Sequence, residues 1–244
     1  MQSATATSAR ITTLTLFGLK KGHIRWGLAQ MGTSVKPLNV TPGLLFYKLL
    51  GSGVGKGFSL QPNFRRYGLL CTWESGAAAE EFFKHAPLLE TYRQHSEEIW
   101  TVWLHTLQSH GLWSGESPFA PFLEKMPAGP VAVLTRASVN WLALPSFIKY
   151  APAATRALDS AAGLLCSIGL GELPFVRQAT FSIWESAEAI KAYAYKDVAH
   201  QEVIKRTRSE NWYSEELFAR FSPFASEGTW QGKDPLHGHL LPSY

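Results

Sequence analysis

The chain has 244 residues, of which 45% are hydrophobic and 17% are charged, so it can bury a large core and is not a disordered protein. Its formal charge of +4 comes from lysines and arginines spread along the chain, which excludes a basic nucleic-acid footprint. Two cysteines without a secretory segment exclude a disulfide framework, and we expect a cytoplasmic protein.

The two halves of the chain begin alike. Residues 11–19 and 131–137 are rich in apolar and β-branched side chains, and each stretch predicts a strand. A helix is predicted after each strand, carrying Trp26 in the first half and Trp141 in the second. Residues 1–10 lack the apolar run of a signal peptide and predict a frayed tail.

A longer motif then occurs twice. The segments 66–75 and 177–186 both begin with arginine and end in Trp-Glu-Ser. Their apolar composition predicts strands, and Ser75 and Ser186 are suitable N-caps for the helices expected next. A second helical segment follows, with Leu89 and Tyr92 in the first half and His200 and Val203 in the second.

Both halves close with the pattern Trp-x-Gly-x-x-Pro, at residues 113–118 and 230–235, after a predicted fourth strand. The order β-α-β-β-α-β twice predicts an α+β fold of two ferredoxin-like repeats that pack as a pseudo-symmetric α+β barrel within one chain. We expect repeats at 11–118 and 131–235, a proline-rich linker at 119–130 and a tail at 236–244.

The spacing of the two halves reveals an insertion. Gly43 and Gly163 lie 120 residues apart, whereas Trp73 and Trp184 lie 111 apart, so the first half has nine extra residues. They fall in the glycine-rich stretch 51–57 and the residues after it. The stretch lacks the Gly-Lys-Ser/Thr of a phosphate-binding loop, which favours a hairpin loop.

His200 is the first candidate for chemistry. It precedes Val203 and Ile204 by three and four residues, so on a helix it shares their apolar face. An imidazole in that position is either a hydrogen-bonded core histidine or a ligand of a metal or haem iron, and spacing alone leaves both open. His237 and His239 form a weaker chelating pair in the expected tail.

Acidic residues give little support for acid-base catalysis. Glu74 and Glu185 recur in both copies of Trp-Glu-Ser, which favours a structural role over a catalytic one. Glu215 and Glu216 are predicted to lie on a solvated helical turn.

Arginines in strands are more informative. Arg136 and Arg177 could donate hydrogen bonds to a bound anion, or form a rim ion pair with Glu172 or Glu185. On the strand after Arg177, Thr180 and Ser182 share one face and apolar side chains the other, a polarity typical of a pocket wall.

The sequence resembles the spheroidene monooxygenase family, the acyclic carotenoid 2-ketolases of purple bacteria. The resemblance extends from about residue 11 to 235, and its most specific segments are 26–32, 46–53, 134–136, 163–172, 177–186, 199–200, 205–208, 212–221 and 227–235.

The resemblance implies an enzyme that uses haem b, O2 and electrons from a ferredoxin or similar donor to place a keto group at C2 of spheroidene-type carotenoids. It also implies that His200 is the iron ligand. Thr180 and Ser167 are then cofactor contacts, and Arg136, Arg177 and Ser182 catalytic candidates.

The substrate that the resemblance implies is a polyene dissolved in the membrane, so we expect peripheral contact with the inner membrane. The number of subunits stays open, and a homo-oligomer is one alternative. A haem lyase of the aldoxime dehydratase type and a non-catalytic haem- or pigment-binding module are the competing functions.

Overall fold

The computed structural model describes residues 9–122, 128–173, 176–196 and 205–240. The described strands are β1 Ile11–Leu19, β2 Leu44–Gly53, β3 Pro62–Trp73, β4 Ser96–Gly111, β5 Val131–Val139, β6 Leu164–Leu173, β7 Arg177–Trp184 and β8 Tyr213–Gly228. The described helices are α1 Ile24–Thr33, α2 Val35–Asn39, α3 Gly76–His85, α4 Pro87–His95, α5 Leu144–Ala157 and α6 Ala187–Lys196.

The strands close into one antiparallel barrel in the order β1-β3-β2-β6-β7-β5-β8-β4. Each repeat contributes four neighbouring strands of the described chain, and the helices lie on the outside. The repeats join at two seams, where β4 pairs with β8 and β2 pairs with β6. The predicted α+β fold of two ferredoxin-like repeats is confirmed.

Alternation along the strands places one set of side chains inside the barrel. On β7, Phe181 and Ile183 are fully buried in the interior, whereas Thr180 and Ser182 lie on the outer face, so the predicted separation of the two pairs onto opposite faces is confirmed. Every strand contributes to this interior core, whose largest members include Trp100 and Phe221. The side chains fill the barrel, so it is a core and not a channel.

The Trp-x-Gly-x-x-Pro pattern forms the same tight turn in both repeats. Trp113 exchanges two backbone hydrogen bonds with Glu116, and the residues between them, Ser114 and Gly115, have positive φ angles of 57° and 78°. Two successive positive φ angles define a type I′ turn, which favours glycine at its second central position. In the second repeat, Gln231 and Gly232 repeat these angles at 57° and 80°.

These turns bind the opposite repeat. The amides of Ser114 and Gly115 donate to the Glu215 carboxylate of β8, at 2.9 and 2.8 Å. The amide of Gly232 donates to the Glu98 carboxylate of β4 at 2.7 Å. The last strand of each repeat is therefore tied to the turn that ends the other.

The predicted helix N-caps are confirmed. The Ser75 hydroxyl accepts a hydrogen bond from the amide of Ala78, and the Ser186 hydroxyl accepts one from the amide of Ala189. Each hydroxyl satisfies one amide that the first helical turn leaves without a partner.

The helical prediction for Trp141 is wrong. Trp141 lies in the turn between β5 and α5 and is 77% exposed, and α5 begins at Leu144. Pro145 explains this start, because proline has no amide hydrogen to donate and is tolerated in the first turn of a helix.

The prediction of a helical turn at Glu215 and Glu216 is also wrong. Both residues belong to β8. Leu217, Ala219 and Phe221 bury every second side chain of this strand inside the barrel, a period of two that is typical of strands.

The first residue of the expected C-terminal tail is buried. Leu236 belongs to the expected tail, yet it is only 1% exposed and lies in the interior core. Trp230 belongs to the same core. Among the described residues, no helix combines the length and apolarity that crossing a membrane requires.

Substitutions on β7 test the two faces of the barrel wall. We expect Phe181→Ala to lower the free energy of unfolding by about 3–5 kcal/mol, because it opens a cavity in the filled interior. Thr180→Ala, the adjacent outward position, is expected to cost less than about 1 kcal/mol. Urea denaturation measures both, and equal losses would contradict the assigned faces.

Candidate functional site

The outer faces of the two repeats differ. The tryptophans of Trp-Glu-Ser pair with Ile11 in the first repeat and Val131 in the second, so Thr15 and Thr135 are equivalent positions. Thr15 is 1% exposed and hydrogen-bonds to Thr101, whereas Thr135 is exposed. The second repeat therefore leaves part of its outer sheet face uncovered by described residues.

The pairing register lines up polar side chains on this open face. Ser167 of β6, Ser182 of β7, Val133 of β5 and Arg220 of β8 form one row across the sheet. Gly169, Thr180, Thr135 and Phe218 form the next row. The structure thus brings three predicted site residues together: Ser167, Thr180 and Ser182.

Two of these hydroxyls already have partners. The Ser182 hydroxyl accepts a hydrogen bond from Trp184 Nε1 at 2.9 Å. The Ser167 hydroxyl donates to the carbonyl oxygen of Lys56, in the glycine-rich loop. These hydrogen bonds fix the positions of the Ser182 and Ser167 side chains on the open face.

Arg220 was missed by the sequence analysis. Its Nε is buried and has no hydrogen-bond partner among the described residues, and its guanidinium carbon lies 5.3 Å from the centre of the Phe218 ring. The equivalent residue of the first repeat is Trp103, which packs against Phe83 of α3. The second repeat therefore has a cation where the first has an aromatic ring that contacts a helix.

The nine-residue insertion packs along the β6 edge of the open face. Gly57 lies so close to Gly169 that a Cβ atom on Gly169 would come within 1.9 Å of the Gly57 carbonyl oxygen. Phe58 then packs edge-on against Phe147 of α5, with ring centres 4.8 Å apart. The glycines allow close backbone contact, as the loop interpretation requires.

Arg136 lies on the other face of the sheet. Its side chain is 2% exposed at one end of the barrel interior, where it forms ion pairs with Glu172 and Glu215. The predicted ion pair with Glu172 is confirmed, and the one with Glu185 is replaced by Glu215. Arg136 is therefore separated from Ser182 by the thickness of the sheet.

This cluster is nearly closed to solvent. Trp113 Nε1 donates to Glu172 at 2.9 Å, and the Lys48 ammonium lies 3.3 Å from the same carboxylate. Burial acts to raise the pKa of Glu215, but hydrogen bonds from Gly115, Ser114 and Arg136 outweigh it and hold the pKa below its ordinary value.

Arg177 is exposed at the start of β7. Alternation along the strand sets it out of phase with Thr180 and Ser182, so it is not part of the open face.

His200 and its neighbours 197–204 lie outside the described residues. Within the described ranges, no group of three histidine, cysteine or acidic side chains could hold a metal ion, and this includes His237 and His239. Cys71 and Cys166 are buried free thiols, and burial raises the pKa of Cys166 to about 12, so neither is a reactive thiolate.

Known proteins resemble the chain over almost its whole length. It is 36% identical over 234 residues to spheroidene monooxygenase of Rhodobacter capsulatus, which covers 95% of this chain and 97% of the relative. Its identity to spheroidene monooxygenase of Rubrivivax gelatinosus is 38% over 211 residues, 85% of this chain and 80% of the relative. The chain belongs to the spheroidene monooxygenase family. Like other members of the spheroidene monooxygenase family, it is an oxidoreductase.

Comparison with family models and solved structures adds the fold. No family model matches the chain. A crystal structure of the aldoxime dehydratase OxdRE with butyraldoxime superposes with a TM-score of 0.61, covering 95% of this chain and 86% of that one at 10% identity. This likeness shows that the chain shares its fold with that dehydratase.

The Glu215 cluster predicts a pH-dependent stability. The folded-state pKa of Glu215 is below its ordinary 4.5, so its contribution is complete above about pH 4.5 and is lost as the pH falls through the folded value. We expect Glu215→Gln to cost about 2 kcal/mol at pH 7, since Arg136 keeps Glu172 as a partner. Urea denaturation between pH 7 and pH 3 should show this difference shrinking.

Glu216→Gln is the matched control. Glu216 is exposed on the next position of β8 and should leave the unfolding free energy nearly unchanged at both pH values. A loss for Glu215→Gln that does not depend on pH would contradict the electrostatic assignment.

Proposed function

We propose that this protein is a haem-dependent carotenoid monooxygenase. It introduces a keto group at C2 of spheroidene-type acyclic carotenoids, using O2 and electrons from a ferredoxin or similar donor. The observation that carries the proposal is the 36% identity over 95% of the chain to a protein named spheroidene monooxygenase. The open outer face of the second repeat supports it with a place for a large flat ligand.

The residues of the open face fit a haem. Haem b has an apolar ring and two carboxylates, and the face offers both kinds of partner. Val133 and Phe218 are apolar, Thr180 and Ser167 are polar, and within the described part of the chain the buried Nε of Arg220 has no hydrogen-bond partner. A guanidinium in this state is suited to a carboxylate.

His200 is the residue that we propose would hold the iron. It follows α6, the helix after β7, in the segment that lies outside the described residues. A neutral imidazole can bind iron through one nitrogen while its other nitrogen donates to a carbonyl or carboxylate, which fixes the tautomer.

When bound, haem supplies the chemistry that activates O2. Each round inserts one oxygen atom into a C–H bond at C2, and the second oxygen leaves as water, formed with two electrons from the donor and two protons from solvent. Two rounds at one methylene give a geminal diol, which loses water to form the ketone.

The residues of this chain would bind the cofactor and the carotenoid, orient them, and exclude water. The apolar side chains of the open face would hold the polyene, and the aromatic contact between Phe58 and Phe147 closes one edge. Ser182 lies on the same face, where its hydroxyl accepts a hydrogen bond from Trp184 Nε1. Arg136 and Arg177, the other catalytic candidates, lie away from this face and are better assigned to the barrel end.

The partners follow from the substrate. A C40 polyene is dissolved in the bilayer, so the proposed enzyme works from the cytoplasm in peripheral contact with the inner membrane. A haem lyase is the competing function, favoured by the fold shared with an aldoxime dehydratase.

Expression in a host that accumulates spheroidene tests the function. Under air, we expect the wild-type chain to convert spheroidene to its 2-keto product, read out by pigment chromatography. We expect His200→Ala to abolish the product and the Soret band of the purified protein, because the side chain that would hold the iron is removed.

His85→Ala is the matched control, since the His85 side chain is 68% exposed on α3 of the first repeat. It should retain both signals. A wild-type protein with a Soret band but no keto-carotenoid would favour the lyase or a binding module. A Soret band unchanged in His200→Ala would remove His200 as the ligand.

Arg220→Gln tests the anionic contact separately. Loss of one charge-assisted hydrogen bond costs about 1.5–3 kcal/mol, so haem affinity should fall about 10–100-fold. Haem titration of the apoprotein measures the affinity, and the melting temperature of the apoprotein should stay the same.

Arg66→Gln is the control for that experiment, because Arg66 also lies against an aromatic ring, 4.9 Å from the centre of Trp230. It should leave haem affinity unchanged. Equal affinities of wild type and Arg220→Gln would contradict the contact.

A further inference from the structure

The loop between β5 and α5 presents two adjacent apolar side chains to solvent. Trp141 is 77% exposed and Leu142 is 75% exposed. Single exposed apolar residues are common on soluble proteins, but a tryptophan and a leucine side by side at this exposure are not explained by packing.

The fold does not require this pair. In the first repeat the equivalent positions are Lys21 and Gly22, in the turn between β1 and α1. That turn is polar and the second is apolar, although both connect the same two elements. The exposed apolar pair is therefore specific to the β5–α5 loop and is not a requirement of the repeated fold.

The loop is held rigidly in place. The amide of Val139 donates to the carbonyl of Val176 at 2.8 Å, and the amide of Asn140 donates to the carbonyl of Trp212 at 2.7 Å. The Asn140 side chain donates to the carbonyl of Asn211 at 2.6 Å. Trp141 and Leu142 are thus displayed from an ordered turn, beside an open groove of about 440 Å³.

Neighbouring elements place another exposed apolar side chain and positive charge at the same end of the barrel as Trp141 and Leu142. The β6 and β5 strands run in the same direction, since both are antiparallel to β7, so Leu173 at the end of β6 lies at the same end of the barrel. Leu173 is 51% exposed. Arg177 and Arg208 are exposed cations at this end.

We propose that Trp141, Leu142 and Leu173 form a docking tip that inserts into the surface of an anionic lipid bilayer. Tryptophan is suited to the interface because its ring is apolar and its indole N–H can hydrogen-bond near the headgroups. The flanking arginines add attraction to anionic lipids. The choice of a bilayer as partner rests on the proposed function, whose substrate is dissolved there.

Vesicle flotation with the full chain tests the tip. Wild-type protein is expected to float with phosphatidylcholine vesicles that contain phosphatidylglycerol, and more weakly with phosphatidylcholine alone. The double variant Trp141→Ser/Leu142→Ser is expected to bind at least tenfold less.

Ile24→Ser/Leu28→Ser is the matched control. These residues are 37% and 48% exposed and lie one turn apart on α1. The strands β1 and β5 run in opposite directions, so α1, which follows β1, begins at the end of the barrel opposite to Trp141. This variant should float like the wild type. Melting temperatures of all variants check that they are folded.

Wild-type protein that fails to float, or equal flotation of the wild type and the Trp141/Leu142 variant, would overturn the proposal. A shift of oligomeric state in that variant, seen by size-exclusion chromatography with light scattering, would assign the tip to a second copy of the chain instead. Flotation needs neither haem nor carotenoid. We expect the tip variant to retain ketone formation from detergent-solubilised carotenoid, because that assay needs no membrane. The assay therefore separates failure of docking from failure of the proposed function.

Discussion

Closure of the barrel is the constraint on which the rest of the structure depends. Pairing of β4 with β8 along most of their length, and of β2 with β6 at Gly51–Gly171 and Ser52–Leu170, closes the described sheet. The same closure turns half of the strand side chains inward, where Trp100, Phe181 and Phe221 fill the space. A ligand of any size must therefore bind on an outer face or at an end.

The two repeats use their outer faces differently. In the first, Thr13 and Thr15 are buried with Phe17 and Trp73 beneath the described helices, which makes that face a second hydrophobic core. In the second, exposed Thr135 and half-buried Arg220 mark a face that described helices cover only in part. One outer face is therefore a second hydrophobic core, whereas the other leaves polar side chains accessible.

Sequence patterns predicted the repeat, the strands around Trp-Glu-Ser and both serine caps, because these depend on local spacing. They failed at Glu215 because two adjacent carboxylates hide the alternation that becomes clear only from Leu217 onward. They could not assign a face to Arg136, since the strand before it is apolar on both sides. Arg220 was out of reach because its position opposite Val133 depends on register between strands distant in sequence.

The reciprocal turn contacts have a consequence for synthesis of the chain. Ser114 and Gly115 complete the first repeat, but the carboxylate that accepts from their amides is Glu215, about a hundred residues later. The second neighbour of β4, which is β8, is likewise translated about a hundred residues later. A nascent first repeat therefore leaves the ribosome with one edge of β4 unpaired, since β1 pairs only with the other edge, and with two turn amides bonded to water. Its last step of folding occurs after translation of the second, and a truncated chain would be prone to self-association.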